Sequence, residues 1–139
     1  MTKTARVEEL LAQDTAGHLR RLHDRLVALG LKTKMSPNSK TLLFEANDRV
    51  GKKHGLAAMR SGYVNVFSFP KTYWNPRKRA LDNALSGIGA RHFVETQDAV
   101  SESQYSARQV RVSTETAQEV MAVVDRLIAA HSAALLNNA

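Results

Sequence analysis

The chain has 139 residues, 43% of them hydrophobic and 24% charged, with a formal net charge of +7 at pH 7. This length suits one domain whose core is large enough to need neither disulfide nor metal, and the composition excludes disordered and fibrous classes. Cysteine is absent, which excludes disulfides, thiolate metal sites and cysteine nucleophiles and makes a cytoplasmic location the simplest expectation.

The first residues, MTKTARVEELLAQD, carry acids where a secretory leader needs an apolar core. No run reaches the ~18 apolar residues of a membrane span, so no membrane partner is expected. Charge is uneven along the chain: 15 Lys/Arg face four Asp/Glu between Arg20 and Arg91, while the two ends together hold five and nine. A basic middle between acidic ends suggests one positive face, suited to phosphates or another polyanion.

In chain order, Val7, Leu10 and Leu11 set the apolar stripe of a helix over Thr4–Gln13, and Asp14 or Thr15 can cap a second over His18–Leu29. Leu19, Leu22, Leu26 and Leu29 form its buried face, and Gly30 stops it. Arg20, Arg21, Asp24 and Arg25 occupy its solvated side. KMSPNSK (Lys34–Lys40) is a turn, after which strands are expected at Thr41–Ala46, Leu56–Arg60 and Tyr63–Phe69. Ser61-Gly62 between the last two suggests a two-residue hairpin turn. Asn75 as N-cap and Pro76 at the first helical position begin a helix that Gly87 and Gly89 end. Strands follow at Arg91–Thr96 and Ala107–Val112, with a polar connection between them. A long helix from Thr114 to about Leu136 closes the chain; its tail, AAHSAALLNNA, is expected to fray or to form an oligomer interface. The order predicts an α+β domain spanning 1–139. It has a largely antiparallel sheet of about five strands, two N-terminal helices (1–30) packing on 40–136, one inserted helix and a long C-terminal helix.

Chemistry-bearing patterns are sparse. His18, His23, His54, His92 and His131 fall on different elements without the spacing of a helical metal site, so no metal and no cofactor is expected. Asn47–Gly55 has two glycines and two lysines but not the phosphate-loop spacing. Glu45, Asp48 and a nearby lysine, Lys52 or Lys53, are the place to seek a nuclease-type carboxylate pair. FPKTYWNPRKRAL (Phe69–Leu81) is richer: five of the eight aromatics lie between Tyr63 and Trp74, immediately before Arg77, Lys78 and Arg79. Three cations in a first helical turn oppose the helix dipole, which an anionic partner would offset.

From Lys40 onward the chain resembles a small bacterial α+β domain family of uncharacterised members, some appended to restriction- or defence-associated proteins. The resemblance rests on a strand hairpin, NPRKRALDNALSGIG (Asn75–Gly89), a following strand and a long closing helix. After Gly89, ARHFVET stands where the family has a Gly- and Trp-containing run. The resemblance implies a fold and a nucleic-acid or defence context, and no catalytic residue.

The leading expectation is a non-enzymatic domain contacting nucleic acid nonspecifically through Lys52, Lys53, Arg77, Lys78 and Arg79, with Tyr73 or Trp74 stacking on bases. Alternatives are a protein-interaction or homodimeric module meeting an acidic partner, and a metal-dependent nuclease using Glu45 and Asp48.

Overall fold

The computed structural model describes residues 2–94 and 106–137. α1 (Lys3–Ala12) starts at Thr2, whose Oγ1 accepts the Ala5 amide at 3.1 Å. Gly17, rather than Asp14 or Thr15, is the N-cap of α2 (His18–Ala28), and the Asp14 carboxylate, from before the cap, accepts the first-turn Leu19 amide at 2.8 Å. Gly30, at φ 95°, turns the chain beyond that helix, a conformation glycine adopts without steric cost.

The sheet has five antiparallel strands in sequential order: β1 (Lys32–Met35), β2 (Leu42–Asn47), β3 (Lys53–Arg60), β4 (Val66–Pro70) and β5 (Ser106–Arg111). The strand count matches the expectation, but the membership differs. Lys32-Thr-Lys-Met35 has no apolar alternation to announce a strand; it is extended because it pairs with β2, Lys32 opposite Glu45 and Met35 opposite Leu42. Arg91 and His92, expected in a strand, instead lie in a 3₁₀ turn over Ala90–His92. Of that expected strand only Phe93 forms a bridge, to Val110, among the described residues; Glu95 and Thr96 lie outside them.

The β3–β4 connection also differs. Arg60 pairs with Val66, so the loop is Ser61–Asn65 rather than two residues, and Tyr63 lies in the loop rather than in a strand. The Asn65 side chain accepts the Gly62 amide at 3.3 Å while the Asn65 carbonyl accepts the Val112 amide at 2.8 Å. Those bonds pin a wider turn against the end of β5.

The inserted helix begins earlier than the Asn-Pro pair implies. The chain is already helical in α3 (Lys71–Trp74), tightens into a 3₁₀ turn over Asn75–Arg77 and resumes as α4 (Lys78–Leu85). Asn75 has helical backbone angles, φ −58° and ψ −44°, and is no N-cap. The tight turn accommodates Pro76, whose missing N–H would break a regular helix interior.

The closing helix comprises α5 (Ala117–Val123), a widened π turn (Val124–Ile128) and α6 (Ala129–Asn137). The π turn keeps both Val124 and Ile128 in the core. The start of the tail is docked, since Ser132 is buried and His131 bonds to Tyr73, while Leu136 and Asn137 at its end are exposed. No described helix is long and apolar enough to cross a membrane.

Leu42, Phe44, Met59, Phe67, Phe69 and Val110 present one sheet face to the helices, and all are fully buried. They form one cluster with Leu11, Leu19, Leu26, Trp74, Leu81 and Ile128, joining the N-terminal helices, the inserted helix and the closing helix over the sheet. The architecture is α+β, with helices on one face of an antiparallel sheet.

Candidate nucleic-acid interface

The turn between β2 and β3 is organised by one carboxylate. Asp48 Oδ1 accepts the Val50 and Lys52 amides at 3.0 and 2.9 Å, and Oδ2 lies 3.0 Å from His54 Nε2. The His54 hydrogen bond, more than any other influence, holds the Asp48 carboxyl below the usual carboxylate range; desolvation opposes it and the two amides add to it. Gly51 completes the turn at φ 87°. Lys52 and Lys53 leave this turn exposed.

The hairpin meets the inserted helix at Tyr73. The His54 ring stands edge-on to Tyr73 at 5.9 Å between centroids. The Arg77 guanidinium lies 3.9 Å over the Tyr73 ring, and its Nη1 donates to the Tyr73 carbonyl at 2.7 Å. The Tyr73 hydroxyl bonds to His131 Nδ1 at 2.7 Å, bringing in α6. Burial raises the Tyr73 hydroxyl above its ordinary pKa against an opposing pull from Arg77. Burial first, and the Arg77 charge second, lower the His131 imidazole below its ordinary value.

This geometry corrects the expected role of the two turn aromatics. Trp74 is fully buried: its Nε1 donates to the Leu56 carbonyl at 2.8 Å, and its ring packs edge-on against Phe69 and His131. Tyr73 is 6% exposed. Neither ring offers a face to a base. Because the helix starts at Lys71, both rings fall where the chain turns back onto the sheet, and packing takes them.

The cations divide as well. Consecutive helical side chains diverge by about 100°, so Arg77, Lys78 and Arg79 do not form one row. Arg77 joins the Tyr73 cluster, whereas Lys78 borders a separate hollow of ≈ 500 Å³ with Asp82 and Arg108; Arg79 is exposed. Among the described residues, Lys52, Lys53, Arg77, Lys78 and Arg79 make no ion pair. Other cations do: Arg20 with Glu8, Arg25 with Asp125, Arg91 with Glu115 and Arg108 with Asp82.

Glu45 and Asp48 are placed differently. Glu45 sits opposite Gly55 within the sheet, and both Asp48 oxygens are engaged by the turn and by His54. Among the described residues no three His, Cys, Asp or Glu are grouped to hold an ion.

Among the described residues, an exposed aromatic lies elsewhere. Tyr63, at the tip of the β3–β4 loop, is fully solvent-exposed. Its sequence neighbours read as a strand, and only the turn chemistry of Gly62 and Asn65 points to a longer loop.

No protein-family model, curated protein or solved structure matches this chain.

Proposed function

We propose that the protein binds nucleic acid nonspecifically through its phosphate backbone, using Lys52, Lys53 and Arg77 as the principal contacts, with Lys78 and Arg79 adding to the field. The carrying observation is that these five cations are exposed on the β2–β3 turn and the start of the inserted helix and lack acid partners among the described residues. Unpaired cations held near one another attract a polyanion by summed potential and counterion release. His54 and Tyr73 support the reading by tying the lysine-bearing hairpin to Arg77. Neither buried ring takes part in stacking, and no reaction is assigned.

Binding to a random-sequence duplex, measured by fluorescence anisotropy across a salt series, tests this. A steep fall in affinity with rising salt is expected. The triple variant Lys52→Ala, Lys53→Ala, Arg77→Ala should reduce the slope by up to about three units, about one for each phosphate no longer neutralised. A flat salt response, or an unchanged slope in the variant, refutes the reading. Equal, equally salt-dependent binding to polyglutamate would instead identify a site for acidic polymers generally.

A further inference from the structure

The five-residue β3–β4 loop presents an aromatic ring to solvent. Tyr63 shows 105% relative exposure, and its neighbour Val64 is also exposed. The loop itself is held in shape by its own bonds. Asn65 accepts the Gly62 amide through its side chain and the Val112 amide through its carbonyl, and the Arg60–Val66 pair closes its base. Gly62 takes φ 155°, within the region that disfavours side chains.

Tyr63 borders a hollow of ≈ 440 Å³ together with Asn65, Arg91, His92, Arg111 and Glu115. Arg111 Nη1 donates to the carbonyls of Arg91 and Phe93 at 3.0 and 3.1 Å. Among the described residues it pairs with no acid, so its charge is uncompensated there. Glu115, the acid on this wall, is engaged by Arg91, and His92 Nε2 lies 3.7 Å from it. The hollow therefore combines an open aromatic face, an unneutralised guanidinium and a rim of polar groups.

We infer that Tyr63 is a base-stacking platform and Arg111 its phosphate contact, so that the protein binds single-stranded nucleic acid in preference to duplex. This rests on the nucleic-acid reading above and names the form of partner. Stacking on one ring needs an unpaired base, which a duplex keeps inside its helix. The polyanion chemistry follows from Arg111. One tyrosine and one valine are too small an apolar patch for a protein interface of about 1,200–2,000 Å². β3 has eight residues, so at about 3.3 Å per residue Arg60, at the base of the Tyr63 loop, lies roughly 23 Å from Lys53.

The test compares affinities for a labelled oligothymidylate and for a duplex of matched charge. Wild type should prefer the single strand. Tyr63→Ala should reduce the single-strand-to-duplex affinity ratio about tenfold, and Tyr63→Trp should preserve it. Because Tyr63 is fully exposed, the variants should fold, which thermal melting verifies. Salt-dependent binding with an unchanged ratio in Tyr63→Ala overturns this inference alone. Salt-insensitive binding, or none, in wild type overturns the nucleic-acid reading and this inference with it. Capture of a folded protein by the Tyr63 loop, with no preference for single strands, would assign the ring to a protein contact and also overturn it.

Discussion

Tyr73 and Trp74 are adjacent in sequence and differ in what holds them. Trp74 is held by packing on every side and one hydrogen bond to the Leu56 carbonyl. Trp74→Ala should destabilise the fold by about 3–5 kcal/mol in urea titrations, and Trp74→Phe by less, because the hydrophobic volume mostly remains. Trp74→Phe should leave nucleic-acid affinity unchanged; a loss of affinity in a folded variant would restore the indole to the interface. Tyr73 is held by His131, and that pair makes stability depend on pH. His131 has its pKa lowered in the fold, so the unfolded chain binds its proton more readily and stability increases with pH across that window. The contribution is complete above about pH 7 and is lost as pH falls below about 6.5, the unfolded imidazole value. Tyr73, Trp74 and Arg77 face the ring, and His54 and Asp48 stand behind Tyr73. The denaturation midpoint should fall between about pH 7.5 and about pH 5.5 in wild type and change less in His131→Gln; equal change in both would remove His131 as the cause.

Elements follow different rules from residues. The β2–β3 turn depends on Asp48, so Asp48→Ala should lower the denaturation midpoint and Asp48→Asn should lower it less, since an amide oxygen still accepts the Val50 and Lys52 amides. Chemical denaturation of the two variants checks the order. Much of the element list was legible from periodicity: Leu19, Leu22 and Leu26 mark α2, and Val120, Val124 and Ile128 mark the closing helix. Two elements were not. β1 is a lysine-threonine strand extended only by its partner β2, and pairing at a distance leaves no local trace. Asn75-Pro76 is a strong local start signal for the inserted helix, yet α3 precedes it because Trp74 turns onto Leu56 and Phe69 and Tyr73 onto His54 and His131. The same packing explains why the candidate site was only half legible. Charge is carried by the sequence, so Lys52, Lys53 and Arg77 could be read directly. Whether an aromatic is buried is a tertiary property, and the fold encloses Trp74 while leaving Tyr63 in solvent.

For the whole molecule, ion pairing engages some cations and leaves others open. Arg20 and Arg25 on α2 are matched by Glu8 and Asp125, whereas among the described residues the β2–β3 turn and the 3₁₀ turn at Arg77 leave their cations unmatched. Exposed pairs contribute little to stability, but each pair cancels part of the far field. The variants Arg20→Ala and Arg25→Ala should therefore change duplex affinity little beside Lys52→Ala and Lys53→Ala at the same salt. Equal losses in both sets would mean that total charge, rather than its placement, governs binding. Competition titrations at one ionic strength distinguish the two.

The one tryptophan of the chain is fully enclosed and bonded to a main-chain carbonyl, and one of its three tyrosines stands wholly in water. The molecule thus carries two separate optical reporters. Indole emission should be blue-shifted in the native protein and shift red only on unfolding. A ligand stacking on the loop ring would alter tyrosine emission while leaving the indole maximum in place, so folding and ligand occupancy can be followed in one cuvette without a label.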